Sequence, residues 1–475
     1  MLADLPVRLR PVDQHPPEPG VASIPVSTVD VDALDPAGAA RSGGSAAAVL
    51  RAVLDHGPVA RAGIGQATGL SPAAVSRQTA DLISLGLLRE LPEAQRATAR
   101  AGRPHVPVDV DTARHLVCGV HIAVPLLTFG LVDLRGRVVA SERVEHDGDP
   151  VAALTLISRH LPDFVRRHGE RRRSPAGRFA RDDAHAAAPG QLLGVGVVSG
   201  GLVDARNGTI LEHAPLGWRD VPVGASLRAA TGLPVHVDGH ARALAQAEIL
   251  FGDPRARRSL VHLFAGHVVD AAIAMDGTVL RGQRSAAGGV AHLRIPGSTE
   301  PCPCGGTGCA EATLSERVWL ARAAADGVIR RPDIHLLAEA VAAREPAAVE
   351  LVRTRLRLTS RLIAMLIDMI DPEVVVLTEL GTLQLPELIA QVHAEVAAHS
   401  RSCSAPEQVV RPTSFGSGVL AVAAAAGVLG AVHRSPRSVR APREPRLPLR
   451  CPPHGARPVR PVDTARPVSA AAVGG

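Results

Sequence analysis

The chain has no tyrosine and no lysine, and aromatic residues make up only 2% of its 475 residues. Binding of single-stranded nucleic acid by base stacking depends on aromatic side chains, so this scarcity argues against it. Because every basic residue is arginine, beside abundant alanine, proline and glycine, we attribute the composition to GC-rich coding DNA rather than to function.

The excess of positive charge is small and unevenly placed. The formal net charge is +6, yet residues 434–475 alone carry nine arginines against two acidic residues. The rest of the chain is therefore close to neutral, which excludes a broad basic surface and restricts any nucleic-acid contact to a local patch. The basic tail either adds non-specific phosphate contacts or is a solvated arm without a role, and the second interpretation is favoured.

Cysteines are also few, and their spacing is not that of a disulfide framework, because three of the six lie between Cys302 and Cys309. Residues 1–36 are polar and proline-rich, unlike a signal peptide. The longest apolar stretch, Val419–Val432, is predicted to be too short to span a bilayer. We therefore expect a cytoplasmic protein without a membrane segment.

Composition and periodicity divide the chain into four regions. Residues 1–44 and 434–475 lack apolar periodicity and are predicted to be disordered arms. Residues 45–112 are predicted to form a small helical domain. From 113 to 433 strands and helices alternate, as in an α/β fold too long for one lobe, with a flexible insertion at about 166–190. The clearest predicted elements there are strands at His115–His121, Leu126–Asp133, Arg137–Val144 and Leu192–Val198, and a helix at about 150–167.

The region 45–112 has the pattern of a winged helix-turn-helix, which consists of three helices and a β-hairpin. Ser71 followed by Pro72 predicts an N-cap and the first residue of the third helix. The predicted elements are a helix with an apolar stripe at 49–54, a helix at Arg61–Thr68 closed by Gly69, a helix from Pro72 to Gly86, and strands at 87–88 and 106–110.

In such a domain the third helix enters the major groove with its N-terminal residues facing the bases. Arg77 is the candidate for a bidentate contact with guanine, and Arg100 and Arg103 in the wing are placed to reach phosphates or a narrow minor groove. The alternative is an ordinary helical bundle with a few surface arginines, and Gly63 and Gly65 weaken the helical pattern. The predicted DNA-contacting residues are Ser71, Ala73, Ala74, Ser76, Arg77, Arg100 and Arg103.

One histidine and three cysteines lie within 18 residues, spaced H-x9-C-x-C-x4-C, with glycines and prolines between them. Three thiolates and one imidazole suit a closed, tetrahedral and structural Zn²⁺ site, and no open position for hydrolytic chemistry is apparent. The alternative is a loop of free or redox-active cysteines. The predicted ligands are His292, Cys302, Cys304 and Cys309.

These two elements in this order resemble the ROK family, named for repressors, open reading frames and kinases, over about residues 45–430. The most specific likeness is the histidine and cysteine cluster followed by Ala310-Glu311, supported by Leu250-Phe251-Gly252 after a helix. The resemblance implies a two-lobed, actin-like sugar-kinase fold with a ligand cleft between the lobes, behind the winged helix-turn-helix.

The resemblance also implies where kinase chemistry would lie, and this chain departs from the family there. The catalytic aspartate that would act as general base falls on His240, and Asp238 could replace it only after a slip in register. The family's phosphate-binding glycine loops fall on residues 121–125, 266–270 and 378–379, where only Gly266 is a glycine. No catalytic residue is therefore assigned.

The sugar-binding residues that the resemblance implies are kept in part. A family glutamate falls on Gly289, whereas His292 and Glu311 match residues that contact sugar in family members. A zinc-bound imidazole still offers its second nitrogen for a hydrogen bond. Glu311 fits equally well as a helix cap or as support for the zinc site.

Three functions follow from these observations. The favoured one is a non-enzymatic, sequence-specific transcriptional regulator, a repressor of carbohydrate-related genes that binds a palindromic operator as a homodimer or homotetramer and senses a sugar or sugar phosphate. The second is an ATP-dependent, glucokinase-like sugar kinase with a regulatory DNA-binding head. The third is a constitutive DNA-binding protein with a vestigial pocket and an architectural zinc ion.

Overall fold

Three short helices open the part of the chain that this computed structural model describes, namely residues 44–91, 106–171 and 191–439. They are α1 Ser45–His56, α2 Arg61–Thr68 and α3 Pro72–Ser84. α2 ends where predicted, because Gly69 has a φ of 70° in the left-handed region. Ser71 accepts a hydrogen bond from the backbone N–H of Ala74 and caps α3, which confirms the predicted start of that helix.

A short antiparallel strand pair follows the helices, with β1 Leu88–Glu90 paired to β2 Val108–Val110. The predicted strand pair is confirmed, although each strand begins one or two residues later than expected. The segment 92–105 between the strands, which contains Arg100 and Arg103, lies outside the described residues. We call the unit formed by α1, α2, α3, β1 and β2 the head.

The first lobe is built on a five-stranded sheet with the strand order β10-β6-β3-β4-β5. β3, β4 and β5 form an antiparallel meander, and β6 and β10 continue the sheet parallel to β3. The strands of this lobe are β3 His115–Ile122, β4 Leu126–Asp133, β5 Val138–Glu145, β6 Gln191–Ser199 and β10 Val235–Gly239, with a separate small sheet of β7 Leu202–Asp204, β8 Thr209–His213 and β9 Trp218–Val221.

Two helices cover one face of the first sheet, α4 Pro150–Arg171 and α5 Val223–Thr231. The helix α4 was predicted to end at about 167, but it continues to Arg171. Its last residues therefore lie in the segment that was expected to begin a flexible insertion. The amphipathic pattern ends near 167, and the last turn, with a glycine at 169, gave no sequence signal for helix. Residues 172–190 lie outside the described part of the chain.

The second lobe repeats this topology with the strand order β13-β12-β11-β14-β15. β11, β12 and β13 are antiparallel, and β14 and β15 continue the sheet parallel to β11. Helix α6 His240–Phe251 connects the lobes. The strands here are β11 Ser259–Ala265, β12 Val269–Met275, β13 Thr278–Val279, β14 Val374–Glu379 and β15 Val410–Pro412. The helices are α7 Ala310–Leu314, α8 Glu316–Ala325, α9 Ile334–Ala342, α10 Pro346–Ile370, α11 Leu380–Gln384, α12 Ile389–His399 and α13 Pro406–Val409.

The last helix, α14 Val419–Arg434, lies on the uncovered face of the first sheet beside α6. It approaches the sheet so closely that a Cβ at Gly196 would lie 1.8 Å from the carbonyl oxygen of Ala424. The expectation that this apolar stretch is too short for a bilayer is wrong by length, since Gly416–Arg434 has the length and composition of a membrane span. However, 72% of it is buried within the protein, as in a core helix.

The head is fastened to the two-lobed body by arginines and by apolar contacts. Arg135, in the β4–β5 turn, pairs with Asp109 of β2 and donates to the carbonyl oxygen of Leu54 at 3.0 Å. Asp55 of α1 accepts two hydrogen bonds of 2.9 Å from Arg257, which follows α6. The apolar cores of α1, α3 and α14 merge into one cluster. The head is therefore packed on the body and is not a freely tethered module.

Arg135→Leu is expected to destabilise the protein by about 3 kcal/mol, because it leaves the largely buried Asp109 carboxylate without its partner. The measurement is urea-induced unfolding followed by circular dichroism. Arg219→Leu is the matched control, since it removes an exposed pair with Glu212 and should cost under about 0.5 kcal/mol. Equal effects of the two substitutions would contradict the assigned role of Arg135.

Candidate functional site

Helix α3 presents the predicted DNA-contacting face to solvent. Ser71, Ala73, Ser76 and Arg77 are exposed and Ala74 is half-buried. Arg77 forms no hydrogen bond or ion pair within the described residues, so its guanidinium is free for a ligand. The opposite face of the helix is packed into the head through Val75, Gln78, Thr79 and Leu82.

The C-terminal segment holds the packed side of α3, a contact that the sequence did not reveal. Arg437 donates to Gln78 Oε1 at 3.0 Å and to Asp81 Oδ2 at 2.7 Å. Pro436–Ser438 forms a 3-10 turn and Val439 is 2% exposed. The prediction that disorder begins at 434 is wrong for these first residues, because the arginine-rich composition masked a short segment that packs on the head.

The predicted metal ligands come together at the start of α7. One ligand atom from each of His292, Cys302, Cys304 and Cys309 lies within 4.8 Å of every other. Cys304 Sγ is 3.7 Å from Cys309 Sγ, and Cys302 Sγ is 3.8 Å from His292 Nδ1. A hydrogen bond with the backbone of Gly306, together with the neighbouring thiols, lowers the pKa of Cys304 to about 7. Three soft thiolates and one imidazole at these separations fit a tetrahedral ion such as Zn²⁺.

The backbone around these ligands is built from tight turns. Gly305 and Gly308 have φ values of 87° and 71°. A Cβ at Gly308 would lie 2.5 Å from the carbonyl oxygen of Ser298, so only glycine fits there. The backbone N–H of Cys302 donates to Gly306, which closes the turn that carries Cys304. Sequence spacing and local geometry therefore agree at this cluster.

A group of histidines surrounds His240, the residue on which the family resemblance places the catalytic base of a kinase. His240, at the first turn of α6, stacks with His121 of β3 at 6.0 Å between ring centroids and contacts Phe264 at 4.3 Å. Neither ring nitrogen of His240 has a hydrogen-bond partner in the described structure, although Asp270 Oδ2 lies 3.9 Å from Nε2. His213 from β8 is the third ring, near Gly200. Burial lowers the pKa of His240 well below its usual value and those of His121 and His213 to about 4.

The carboxylate of Asp238 is bound by two arginines. Its Oδ1 accepts a hydrogen bond from Arg242 Nε at 2.7 Å, and its Oδ2 lies 3.0 Å from Arg281 Nη2. Burial would raise the pKa of Asp238, but the two guanidinium groups outweigh it and lower that pKa. A carboxylate stabilised in this way is a weak proton acceptor.

The loops where phosphate-binding glycines were expected carry carboxylates of the chain itself. Glu379 accepts hydrogen bonds from the backbone N–H groups of Gly381 and Thr382, and so caps α11. Its Oε2 lies 3.7 Å from Arg355. Burial raises the pKa of Asp270 and of Glu316 to about 6. Backbone donors that could meet a phosphate are thus already occupied at α11, and acidic groups lie around the cleft.

The residues that the family resemblance assigned to sugar binding lie beside the metal cluster. Glu311 Oε2 accepts a hydrogen bond from the backbone N–H of Val269 at 2.7 Å, which links α7 to the start of β12. Burial raises the pKa of Glu311. His292 is exposed and turns its Nδ1 toward Cys302. Gly289, where the resemblance places a glutamate, has no side chain to offer a ligand.

The geometry defines a class of protein: a two-lobed, kinase-like body with a helical head and a histidine and cysteine cluster. The ROK family model matches residues 182–432, and the chain belongs to the ROK family. A protein named as a transcriptional regulator of Mycobacterium tuberculosis is 33% identical over 399 residues, covering 80% of this chain and 83% of that protein. The DNA-binding transcriptional repressor Mlc of Escherichia coli is 27% identical over 274 residues, 57% of this chain and 63% of Mlc.

Solved structures support the same fold. A ROK family transcriptional regulator described as a homologue of Escherichia coli Mlc superposes with a TM-score of 0.64 at 22% identity, covering 83% of this chain and 98% of that one. A ROK glucokinase from Streptomyces griseus gives a TM-score of 0.52 at 23% identity, covering 65% of this chain and 98% of the glucokinase. The predicted α/β fold with a helical head on a sugar-kinase-like body is confirmed.

The buried histidines predict that acid destabilises the protein. His121, His213, His236 and His433 have pKa values lowered to about 4 and His262 to about 3, mainly by burial, against about 6.5 in the unfolded chain. Below pH 6.5 these histidines become protonated in the unfolded chain but stay neutral in the folded protein. The free energy of unfolding should then fall by up to about 1.4 kcal/mol per pH unit for each histidine until pH nears 4.

Asp270 and Glu316 have pKa values raised to about 6, so their protonation increases the free energy of unfolding as the pH falls. These two groups are outnumbered by the five histidines. Urea unfolding at pH 7.5, 6.5, 5.5 and 4.5 measures the slope, and His262→Gln should make it shallower by one histidine's share. A parallel series in excess chelator separates protonation from loss of a bound metal. Constant stability between pH 6.5 and 5 would refute this account.

Proposed function

We propose that this protein is a transcriptional repressor that binds DNA through α3 of its head. The observation that carries the proposal is a helix whose N-terminal turns are exposed, with an unpaired Arg77, on a head packed against a ROK body. Arginine can donate two hydrogen bonds to one guanine in the major groove. The wing residues Arg100 and Arg103 would add phosphate or minor-groove contacts. The relatives named as transcriptional regulators and repressors support this function.

The body is proposed to regulate rather than to catalyse. His240 stands where a general base is expected, and burial favours its neutral form without a hydrogen bond to orient it. Glu379 occupies the donors of α11, and Asp270 adds a second acidic group near the expected phosphate position. Anionic ATP phosphates would meet carboxylates instead of free N–H groups.

A sugar kinase with a DNA-binding head is the second candidate, favoured only by the glucokinase-like fold. It needs Asp238 as base, but Arg242 and Arg281 already bind both oxygens of that carboxylate. A coupled assay with ATP and common hexoses discriminates the two candidates. Phosphorylation that Asp238→Asn abolishes would establish the kinase.

We further propose that a homodimer or homotetramer binds a palindromic operator beside carbohydrate-related genes, within the cytoplasm. Xylose repressors of Caldicellulosiruptor bescii and Bacillus subtilis are among the relatives, which supports a carbohydrate connection. A sugar or sugar phosphate would contact His292 and Glu311 at the edge of the cleft. This cleft would differ from that of a sugar kinase, because His240 stands where the resemblance places the catalytic aspartate.

The cluster of His292, Cys302, Cys304 and Cys309 is proposed to hold a structural Zn²⁺. All four donors lie within 4.8 Å of one another, which suits a four-coordinate site. Zinc would join the segment before Cys302 to the N-terminus of α7, since Cys309 immediately precedes that helix. The ion would thereby fix Glu311 and its hydrogen bond to Val269.

DNA recognition is tested by selecting binding sites from random duplex DNA at physiological salt and measuring affinity by fluorescence anisotropy. Wild type should enrich a palindromic site. Arg77→Ala should bind that site about 10- to 100-fold more weakly, through loss of one bidentate base contact. Arg206→Ala removes an equal charge from an exposed loop of the body and should bind within about twofold of wild type. Enrichment of the same site by Arg77→Ala at equal affinity would contradict the assignment of α3.

The zinc assignment predicts about one zinc ion per chain by elemental analysis. Cys309→Ser should lose most of the metal, because one of the two buried thiolate donors is replaced. Cys403→Ser is the matched control, since Cys403 is a free, half-buried thiol outside the cluster. Cobalt substitution should give thiolate charge-transfer bands in wild type and Cys403→Ser alone. Full zinc content in Cys309→Ser would rule out this ligand set.

A further inference from the structure

A second cavity lies behind the histidine group, where α6, α14, β10 and β13 meet. Its empty volume is about 420 Å³, with the open solvent at its mouth included. Polar lining residues are His236, Asp238, Arg242, Gln246, Arg281 and Arg434. His236 and Asp238 alternate with Val237 and Gly239 along β10, so they face this cavity together. His121, His213 and His240 are not among the residues that line this cavity.

The cavity has more positive than negative charge. Asp238 is its single acidic lining residue, and Arg242 and Arg281 already pair with it at 2.7 and 3.0 Å. Each of the three guanidinium nitrogens of Arg242 already donates a hydrogen bond, because it also binds the carbonyl oxygens of Val203 at 2.9 Å and Ser285 at 2.6 Å. Burial keeps His236 neutral by lowering its pKa to about 4. Three guanidinium groups against one carboxylate leave a formal excess of two positive charges.

Arg434 is the arginine without a partner. Within the described residues it makes no hydrogen bond and no ion pair, and it is half-buried. Its Nη1 lies over α14, 3.1 Å from where a Cβ of Gly430 would be, and Gln246 lies beside it. Burial and the nearby Arg281 both lower the pKa of Arg434. A half-buried guanidinium that lies near a second cation and has no acceptor in the protein is stabilised when an anion binds between the two.

We propose that this cavity binds a dianionic phosphoryl group between Arg434 and Arg281, with Gln246 as an additional donor. The excess of two charges matches a phosphate dianion, whereas a monocarboxylate would leave one charge unbalanced. Guanidinium groups bind phosphate oxygens with paired, charge-assisted hydrogen bonds. Free phosphate and a phosphate monoester share this chemistry, and the open mouth admits the rest of a small monoester.

The position of Arg434 connects this cavity to the head. Arg434 is the last residue of α14. Three residues later, Arg437 donates hydrogen bonds to Gln78 and Asp81 of α3. An anion that draws Arg434 into the cavity would act on the segment that holds α3. This coupling to DNA rests on the proposed function, whereas the binding of the anion does not.

The test is isothermal titration of the full chain with inorganic phosphate and with methyl phosphate, at constant ionic strength and pH 7.5. Wild type and Arg330→Gln should bind with the same Kd, since Arg330 is an exposed arginine of the second lobe outside the cavity. Arg434→Gln should bind at least about tenfold more weakly. Arg434→Lys, which keeps the charge but loses the paired donors, should be intermediate and guards against a folding defect in the glutamine variant.

Tighter binding of inorganic phosphate would identify the free ion as the ligand, and tighter binding of methyl phosphate would identify an ester; either outcome supports the site. The proposal is overturned if neither probe saturates wild type, or if Arg434→Gln binds both with unchanged Kd. Measuring DNA affinity with and without phosphate separates the two proposals. Phosphate binding without any DNA binding would reject the proposed function alone, and DNA binding without phosphate binding would reject this site alone.

Discussion

The close contact between α14 and the first sheet is the constraint on which the arrangement of the molecule depends. Gly196 lets the backbone of Ala424 lie directly on β6, and a Cβ at Gly119 would likewise meet the carbonyl oxygen of Ala421 at 2.8 Å. Alanines on the helix and glycines on the sheet thus remove the usual layer of side chains between them. Because α14 sits so deep, it also packs against α6 and α1, and its C-terminus reaches the head. One helix therefore sets the positions of the cleft, the second cavity and the head together.

A fold of this family can lose phosphotransfer without losing its architecture, because the two depend on different residues. The sheets and their covering helices are held by apolar packing that continues through both lobes. Phosphate binding depends on a few backbone N–H groups, and here Glu379 satisfies those at the start of α11. Such a cap stabilises the helix end in the absence of any ligand. Under the proposed function, such changes would remove catalysis and leave the cleft available to a regulatory ligand.

Predictions from the sequence succeeded where the signal was local. Gly69 and Ser71 gave the ends of α2 and α3, and the turns between Cys302 and Cys309 allowed only a compact cluster. His213 comes from β8, far in sequence from His121 and His240, so no spacing could reveal that three rings share one site. The contact of Arg437 with α3 was missed for another reason, since the composition of residues 434–439 resembles that of a disordered tail. Long-range contacts between unlike elements carry no periodic signal.

The helix α6 gives a physical route from the cleft to the head. It begins at His240 and ends at Phe251, a length of roughly 18 Å. At its far end the carbonyl oxygen of Leu250 accepts a hydrogen bond of 3.0 Å from Arg51 of α1, and Arg257 beyond it binds Asp55. A ligand that moves the N-terminus of this helix must displace either those contacts or the packing of α14 along its side. Because Arg437, three residues after α14, binds α3, a ligand in the cleft and an anion in the second cavity, as proposed above, would both act on the contacts that hold the head.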